Sequence, residues 1–478
     1  MKRIVTLILI LIICFSNSYS TIWYISEGGS GTKDGSSWGN AAADFPDLLQ
    51  DYTVNPSQKW DTQGPIHPNP GDTIFVRYGT YSPILLWHGE KIDTIINNIK
   101  YYYQSHANLI HIYGGFSGKE TSLEERNNWK YYESIIEGQN SYNCIWIEGV
   151  NPDSLHYTRG IVIDGFTLRN GRGQGAAIRV VQNNPILSNL TIKENDGAPI
   201  IYLENSGQGD GDRYNEYTLL INNIIANNYI HQNLISVLSD AIISNIASHV
   251  EIMNNTIANN TCENNCYSLI FGINSNTIIT NSILYDNGSD IEYYDNTKNV
   301  VSYRNNIIEF SINNTYWNLL GQDLGWNNDD DPMFVDSTNF DYRIQNYSPA
   351  YDKGNFDKYD TLIIRSGLKY QNNHLLNYDI NCNIRAFDNT IDVGACEFYE
   401  NTNYISLNYP TLPSEFNQEG ASNLNIDNIK IFDMTGSILK HYNSNEEINF
   451  SDLQKGIYII GYFYKNTLVK SNKIVLTK

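Results

Sequence analysis

The sequence is short of positive charge, of cysteine and of long apolar runs, and each shortage closes off a class of function. Lys and Arg together number 31 against 52 Asp and Glu. A surface with that balance repels nucleic acid and anionic lipid, because phosphate binding needs a basic patch. Neither is expected as a partner. The leading apolar run, Ile4 to Cys14, is too short to span a bilayer. It follows Lys2 and Arg3 and precedes Ser18-Tyr19-Ser20, the plan of an export signal over residues 1–20 with the mature chain beginning at Thr21. No later stretch reaches membrane-spanning length, so the mature chain is expected to be soluble and exported. Removing Lys2 and Arg3 leaves 29 basic residues against 52 acidic ones, a formal net charge of −23.

Cysteine is equally sparse. Beyond the signal stand Cys144, Cys262, Cys266, Cys382 and Cys396, with no paired C-x-x-C to suggest a structural metal. An exported chain favours disulfides. Cys262 and Cys266 flank ENN and suit a clip across a loop tip, while Cys144 reads as an odd, buried thiol. The connectivity as a whole stays open.

What the chain has in quantity is Asn, 65 of 478 residues, and Tyr, 36. So many aromatics argue against disorder and for a polar, turn-rich β-protein. The asparagines recur in one phrase: SNLTIKEN (188–195), INNIIANN (221–228), MNNTIANN (253–260) and TNSILYDN (280–287). A fifth stretch, YRNNIIEFS, keeps Asn305 and Ile308. Anchored on Asn189, Asn222, Asn254, Asn281 and Asn305, the spacings are 33, 32, 27 and 24 residues. Periods of this size in β-forming sequence mark a solenoid.

Parity assigns the asparagine its place. Apolar residues stand two before and three after each anchor, and five residues along an unbroken strand would put them on opposite faces. Both can face a core only if the chain bends between them. Asn tolerates left-handed backbone angles, so the anchor takes the corner, and stacked anchor amides are expected to bond from coil to coil.

Earlier segments, from GDTIFVRYGTY (71–81) to GIVIDGFTLRNG (160–171), extend the coil to about nine or ten turns. DFPDLLQDY (44–52) reads as a short helix with Phe45, Leu48 and Leu49 on one side, a lid for the first coil. The expected layout is an all-β chain: a β-helix with its lid over 21–310, a far-end cap over 311–400, a linker at 401–425 and a small β-sandwich at 426–478.

Two resemblances attach to these motifs. The I-x-x-N tails (Ile192/Asn195, Ile225/Asn228, Ile257/Asn260, Leu284/Asn287), QGAAI, DGSSWGNA, YGGFSGKETSLEER and IDGFTL resemble right-handed parallel β-helix proteins of the pectin-lyase-like class. The subfamily is the one with polymorphic-outer-membrane-type repeats. DPMFVD, DYRI, SPAYDKG and DVGACEF look like its closing segment, so the likeness runs over about 21–400. Cys382 and Cys396 stand where that segment commonly has Gly and Tyr, and the double replacement implies a disulfide between them.

IKIFDMTGSILK, INFSDLQKGIYIIGYF and a tail ending NKIVLTK resemble the C-terminal sorting domain of the type IX secretion system of Bacteroidetes. Gly436, Leu453, Gly456, Tyr458 and Lys478 occupy its marked positions. That resemblance implies export through Sec and then the type IX machinery, ending in release or in anchoring on the outer-membrane surface.

Chemistry is fainter. β-Helix lyases need a cation to neutralise a uronate carboxylate and a base near it, and hydrolases need paired carboxylates. The candidates are Arg169, Arg172, Arg179, Lys193 and Glu194, with Asp210, Asp212 and Glu216 as hard oxygen ligands for calcium. Charges on exposed strands and loops are usually a solvated face. The functional expectation is therefore a monomeric, non-catalytic protein that binds glycan or another surface, as the Tyr-rich strands suggest. A polysaccharide lyase or glycoside hydrolase is the alternative.

Overall fold

Strands of three or four residues, rich in Ile and Leu and separated by single left-handed residues, stack in parallel through the computed structural model. It describes residues 20–49, 68, 71–87, 94–96, 99–101, 110–126, 128–140, 142–148, 161–206, 217–230, 241–262, 270–288, 300–309, 322–365, 377–386, 389–398, 428–432, 438–443, 456–464 and 467–476. The expected signal (1–20, of which only Ser20 is described), the linker 401–425, Asp210, Asp212, Glu216, Cys266, Gly436, Leu453 and Lys478 lie outside the described residues. The chain divides into a body ending at Phe398 and a second unit, Tyr399–Lys478.

One rung shows how the body is wound. Ile186–Ser188 belongs to a first sheet of ten parallel strands, and Asn189 turns the corner. Thr191–Ile192 joins a second sheet of eight, and Glu194 turns again. After the short strip Asp196–Gly197, Ile201–Glu204 joins a third sheet of six, and Asn205 turns a third time. Thr218–Ile221 then pairs in parallel with the starting strand. Such parallel crossovers are right-handed, and the body is a right-handed parallel β-helix.

Register aligns the core. Ile163, Leu187, Leu220, Ile252, Ile279 and Tyr303 form one inward column. Leu168, Ile192, Ile225, Ile257, Leu284 and Ile308 form the column beyond the corner. All are buried, and each such side chain contributes roughly 1.5–3 kcal/mol. At the first coil, the helix Phe45–Leu49 buries Phe45, Leu48 and Leu49 in the same core.

The five anchor asparagines all take left-handed angles, with φ between 52° and 58°. The amide ladder, however, sits mainly one residue later. A left-handed residue directs its own side chain away from the core, while its successor points inward, within reach of the neighbouring rung. Asn223 Oδ1 accepts from Leu190 N–H at 2.8 Å, Asn255 Oδ1 from Asn223 N–H at 2.9 Å, and Asn306 Oδ1 from Ser282 N–H at 2.8 Å. A second ladder runs through Asn195, Asn228, Asn260 and Asn287, each amide bonded to the next at 2.8–2.9 Å. A third, of Ser206, Ser248 and Ser275, follows the remaining corner. Buried amides are tolerated here because each finds donors and acceptors on adjacent rungs. Among the anchors themselves, only Asn281 Nδ2 to Asn254 Oδ1, at 3.2 Å, bonds one corner to another.

Four of the five anchors instead hold the segment that follows the coil, while Asn189 donates to Asp164 on the preceding rung. Asn222 donates to Tyr378 O, Asn254 to Asp392 O, Asn281 to Asn355 O and Asn305 to Lys353 O. Gln322–Asp323 adds a last short strand to the first sheet. From there the chain, expected to close the far end, lies along the sides. Tyr359, Leu362, Ile363 and Ile391 pack on Val162, Ile186, Leu219, Ile221 and Met253 of the first sheet. Tyr342, Ile380, Ala395 and Cys396 pack on Ile224, Ala226 and Ala258 of the second, and Ile344, Ala350 and Val393 on Ile283 and Ile307.

A buried polar knot fastens this segment. Arg385 bonds Glu397 Oε1 at 2.7 Å, Gly394 O, Ala395 O and, back on the coil, Asn222 Oδ1 at 2.9 Å. Burial pushes the Glu397 carboxyl well above its ordinary value and that of Asp392 up to about 6.

The expected Cys382–Cys396 disulfide is absent, and both are free thiols. The two side chains pack in different clusters: Cys382 against the group on the first sheet, Cys396 in the group on the second. Asn381 Nδ2 donates to Cys396 Sγ. Cys144 is also free and buried, whereas Cys262 is disulfide-bonded. With the other three described cysteines free, its partner lies outside the described residues.

Candidate functional site

The catalytic candidates fall on three separate surfaces. Arg169, at the end of its second-sheet strand, bonds Glu137 Oε2 through Nε at 2.8 Å. Arg172, on the corner strip, stands 3.6 Å from Asp196. Lys193 pairs with Glu194 at 3.5 Å and lies over the Phe340 ring, while Glu194 itself is the left-handed corner residue. Each of these three cations faces a carboxylate, and the strand register sets Arg169 beside Lys193 on adjacent rungs of the second sheet.

Asp164 does more than support its turn. Its Oδ1 pairs with Arg126 Nη1 at 2.6 Å, both side chains buried, and Oδ2 accepts from Ser188 and Asn189. The Arg126 guanidinium lies over Trp129 and fits against Gly165, where any Cβ would collide with Nη2. The arrangement is structural.

Arg179 is different. Ile178–Val181 runs between Ile145–Glu148 and Ile201–Glu204 in the third sheet, with Arg179 in register with Trp146 on one side and Tyr202 on the other. Strand alternation turns the three outward, while Ile145, Ile147, Ile178, Val180, Ile201 and Leu203 fill the core. The guanidinium carbon is 5.5 Å from the Trp146 ring centre and 5.0 Å from that of Tyr202, a stacked cation between two rings. Arg179 Nη1 donates to Gln174 Oε1 at 2.8 Å.

The next outward column adds acids. Glu148 Oε2 accepts from Trp146 Nε1 at 2.7 Å, and Glu204 Oε2 from Tyr202 OH at 2.9 Å. Burial, then the Glu204 carboxylate, pushes the Tyr202 phenol up to about 12, so it stays a donor at neutral pH. Trp146, Tyr202, Glu148 and Glu204 were not singled out from the sequence. The signal was there in IWIE (145–148) and IYLE (201–204), the same apolar, aromatic, apolar, acidic order on two rungs.

Two other places were candidates by shape. A cavity of about 320 Å³ lies among Asn259, Tyr285, Asp286, Asp331, Met333, Phe334, Ser337 and Gln345. At the first coil Tyr78, Tyr132 and Tyr131 cluster with ring centres 5.8 and 5.0 Å apart, but Arg77 there is spent on Ser117 O and the Tyr78 hydroxyl. Among the described residues no group of His, Cys, Asp and Glu could hold a metal ion.

The second unit has four antiparallel strands in the order Ile438–Asn443, Asn428–Phe432, Gly456–Tyr464, Thr467–Leu476. Gly456 and Tyr458 lie on its longest pairing. Residues 404–477 match the family described as "Secretion system C-terminal sorting domain". The chain carries an export tag. Its address is therefore extracellular or the cell surface, and its partners include the secretion machinery that reads such a domain. The match begins inside the stretch read from sequence as a linker (401–425). No curated protein matches the sequence. Among solved structures, the crystal structure of pectate lyase Pel9A is similar at 13% identity and a TM-score of 0.31, over 80% of this chain and 97% of that one. Among the described residues, no helix is long and apolar enough to cross a membrane.

Proposed function

We propose that this is an exported glycan-binding protein whose ligand lies on the outer face of the third sheet, across Trp146, Arg179 and Tyr202. The observation that carries the reading is the stacked row itself, the half-buried Trp146 and Arg179 with the buried Tyr202 ring behind them, on successive rungs spanning about 10 Å by strand spacing. Aromatic faces and a stacked guanidinium suit the C–H faces and hydroxyls of sugars. The first two sheets have much of their outward surface buried under the C-terminal segment, which favours the third. Export by the signal over 1–20 and the sorting domain, with release or anchoring at the outer-membrane surface as a monomer, completes the proposal.

Binding without turnover is favoured because Arg169, Arg172 and Lys193 are each matched with an acid. A hydrolase is the second reading, on one specific ground. Glu148 and Glu204 are in register two strands apart, roughly 10 Å, near the upper end of the separation that inverting glycosidases use. The test is a polysaccharide panel scored for retention, for unsaturated products and for new reducing ends. Retention lost in Trp146→Ala without product formation supports binding. Reducing ends that vanish in Glu148→Gln or Glu204→Gln support the hydrolase.

A further inference from the structure

We infer that the buried knot around Arg385 is a proton-held clasp, which grips the segment laid over the first two sheets in mild acid and loosens it, with the coil still wound, as pH rises toward neutrality. The inference stands apart from the glycan reading. Three buried carboxyls, those of Glu397, Asp392 and Asp379, surround one guanidinium. Only Glu397 bonds Arg385 directly, at 2.7 Å. The other two are held by backbone N–H groups of the segment itself. Asp392 accepts from Asp352 N–H at 2.7 Å and from Phe398 N–H, and Asp379 from those of Asn381, Asn383 and Glu397 at 2.7–2.9 Å. Both Glu397 oxygens accept from Asp392 N–H, which sets these two acidic residues against each other.

A buried carboxylate is costly unless it is paired, and one cation cannot pair three. With Glu397 matched, a charge on Asp392 or Asp379 faces that of Glu397 across a dry knot. Burial pushes all three carboxyls up, Asp392 to about 6. The closed segment therefore holds protons that the opened, hydrated one releases at the ordinary carboxyl value of 3.8 for Asp392, and closure weakens as pH rises through 6. The other charged or titratable groups that reach the knot are Tyr359, Asp352 and the thiols of Cys382 and Cys396, which face Arg126 and Lys130 in turn. Burial pushes the Tyr359 phenol and both thiols up to about 12, far from this window. On the coil side the knot meets Asn222, Asn254 and Thr256, which do not titrate. Loosening thus acts on the segment first, and it uncovers the apolar outward faces of Ile186, Leu219, Ile221 and Met253.

The experiment is amide hydrogen exchange of the full chain between about pH 4 and pH 7, with each rate corrected for the intrinsic pH dependence of exchange. Ile380, Val393 and Gly394, whose N–H groups bond within the segment or from it to the coil, are compared with Asn223 and Thr256, whose N–H groups bond from rung to rung. The segment amides are expected to be less protected than the coil amides at every pH, because they exchange through an opening that leaves the coil wound. Their protection should fall about fiftyfold across the range, the consequence of a carboxyl raised by about two units. Asp392→Asn, uncharged throughout, should lose most of that fall. Segment protection that stays level with pH would overturn the inference, and so would equal protection of the two sets, since the segment would then leave only when the coil unfolds. An Asp392→Asn variant that keeps the native slope would also overturn it. Should that variant fail to fold by circular dichroism, the two sets of amides in the native chain still decide.

Discussion

The first two sheets and the third are wound from the same coil, yet their outward faces are chemically unlike. On the first, Ile186–Ser188 and Thr218–Ile221 are buried on both sides, and on the second so are Ile224–Ala226 and Thr256–Ala258. On the third, Ile145–Glu148 alternates between buried and half-buried, with Trp146 and Glu148 outward, whereas on Ile201–Glu204 only Glu204 is half-buried. A strand apolar on both faces is one that something covers, and here the C-terminal segment covers it. A strand that alternates has a face left for solvent or ligand. The composition of the outward residues thus reports which side of the coil is structural and which is available.

The largest test of that contrast removes what fastens the covering segment. Arg385→Ala leaves Glu397 buried without its partner, and is expected to cost about 3–5 kcal/mol in denaturant unfolding of the body. Arg169→Ala, which breaks a half-exposed pair, should cost less than about 1 kcal/mol. If the two cost the same, the segment is not fastened as described.

Next comes the ladder. Asn255 accepts from Asn223 N–H and donates to Leu220 O, all buried, so Asn255→Ala should lose about 2–3 kcal/mol. Its neighbour Asn254 holds the left-handed corner and reaches the covering segment, and Asn254→Gly keeps the backbone angle while losing one outward amide. About 1 kcal/mol is expected, and a larger loss at 254 than at 255 would return the ladder to the anchors.

A pH series sharpens the same boundary. Folded Asp392 holds its proton up to about 6 against an ordinary value of 3.8, because it is buried. The folded state thus binds more protons between those values. Its contribution, on the order of 2 kcal/mol, is complete below the ordinary value and is lost as pH rises through 6. Unfolding midpoints of the native chain should fall over that window more steeply than those of Asp392→Asn. Equal slopes would mean that Asp392 titrates as it does in the unfolded chain.

The smallest effect on stability belongs to the third sheet. Trp146→Ala, at a half-buried outward position, should cost little in unfolding while abolishing retention on glycan, the reverse of the Arg385 outcome. Separate alkylation of Cys382 and Cys396 in the unfolded, unreduced chain, read by peptide mass, checks that no disulfide helps hold the cover.

How far the sequence could carry this contrast follows from what repeats. The anchors recur from Asn189 to Asn305 and the I-x-x-N tails in four of those rungs, so the coil and its corners were legible from periodicity. Parity put a bend at Asn189 and its counterparts but could not say which of two adjacent residues points inward, and the ladder was read one residue early. The covering segment has no period, and several of its contacts join residues more than 130 apart, such as Asn222 with Tyr378 and Asn254 with Asp392. Nothing local marks such pairings. Arg179 drew notice as a charge, but its meaning lies in Trp146, 33 positions earlier, and Tyr202, 23 later, which become neighbours only once the rungs stack.

The most direct measurement is amide hydrogen exchange of the chain with and without a retained polysaccharide. Added protection on Ile145–Glu148, Ile178–Val181 and Ile201–Glu204, with the first two sheets unchanged, is the predicted result. Protection along Val162–Asp164, Ile186–Ser188 or Ile224–Ala226 with none on those three strands would contradict the account.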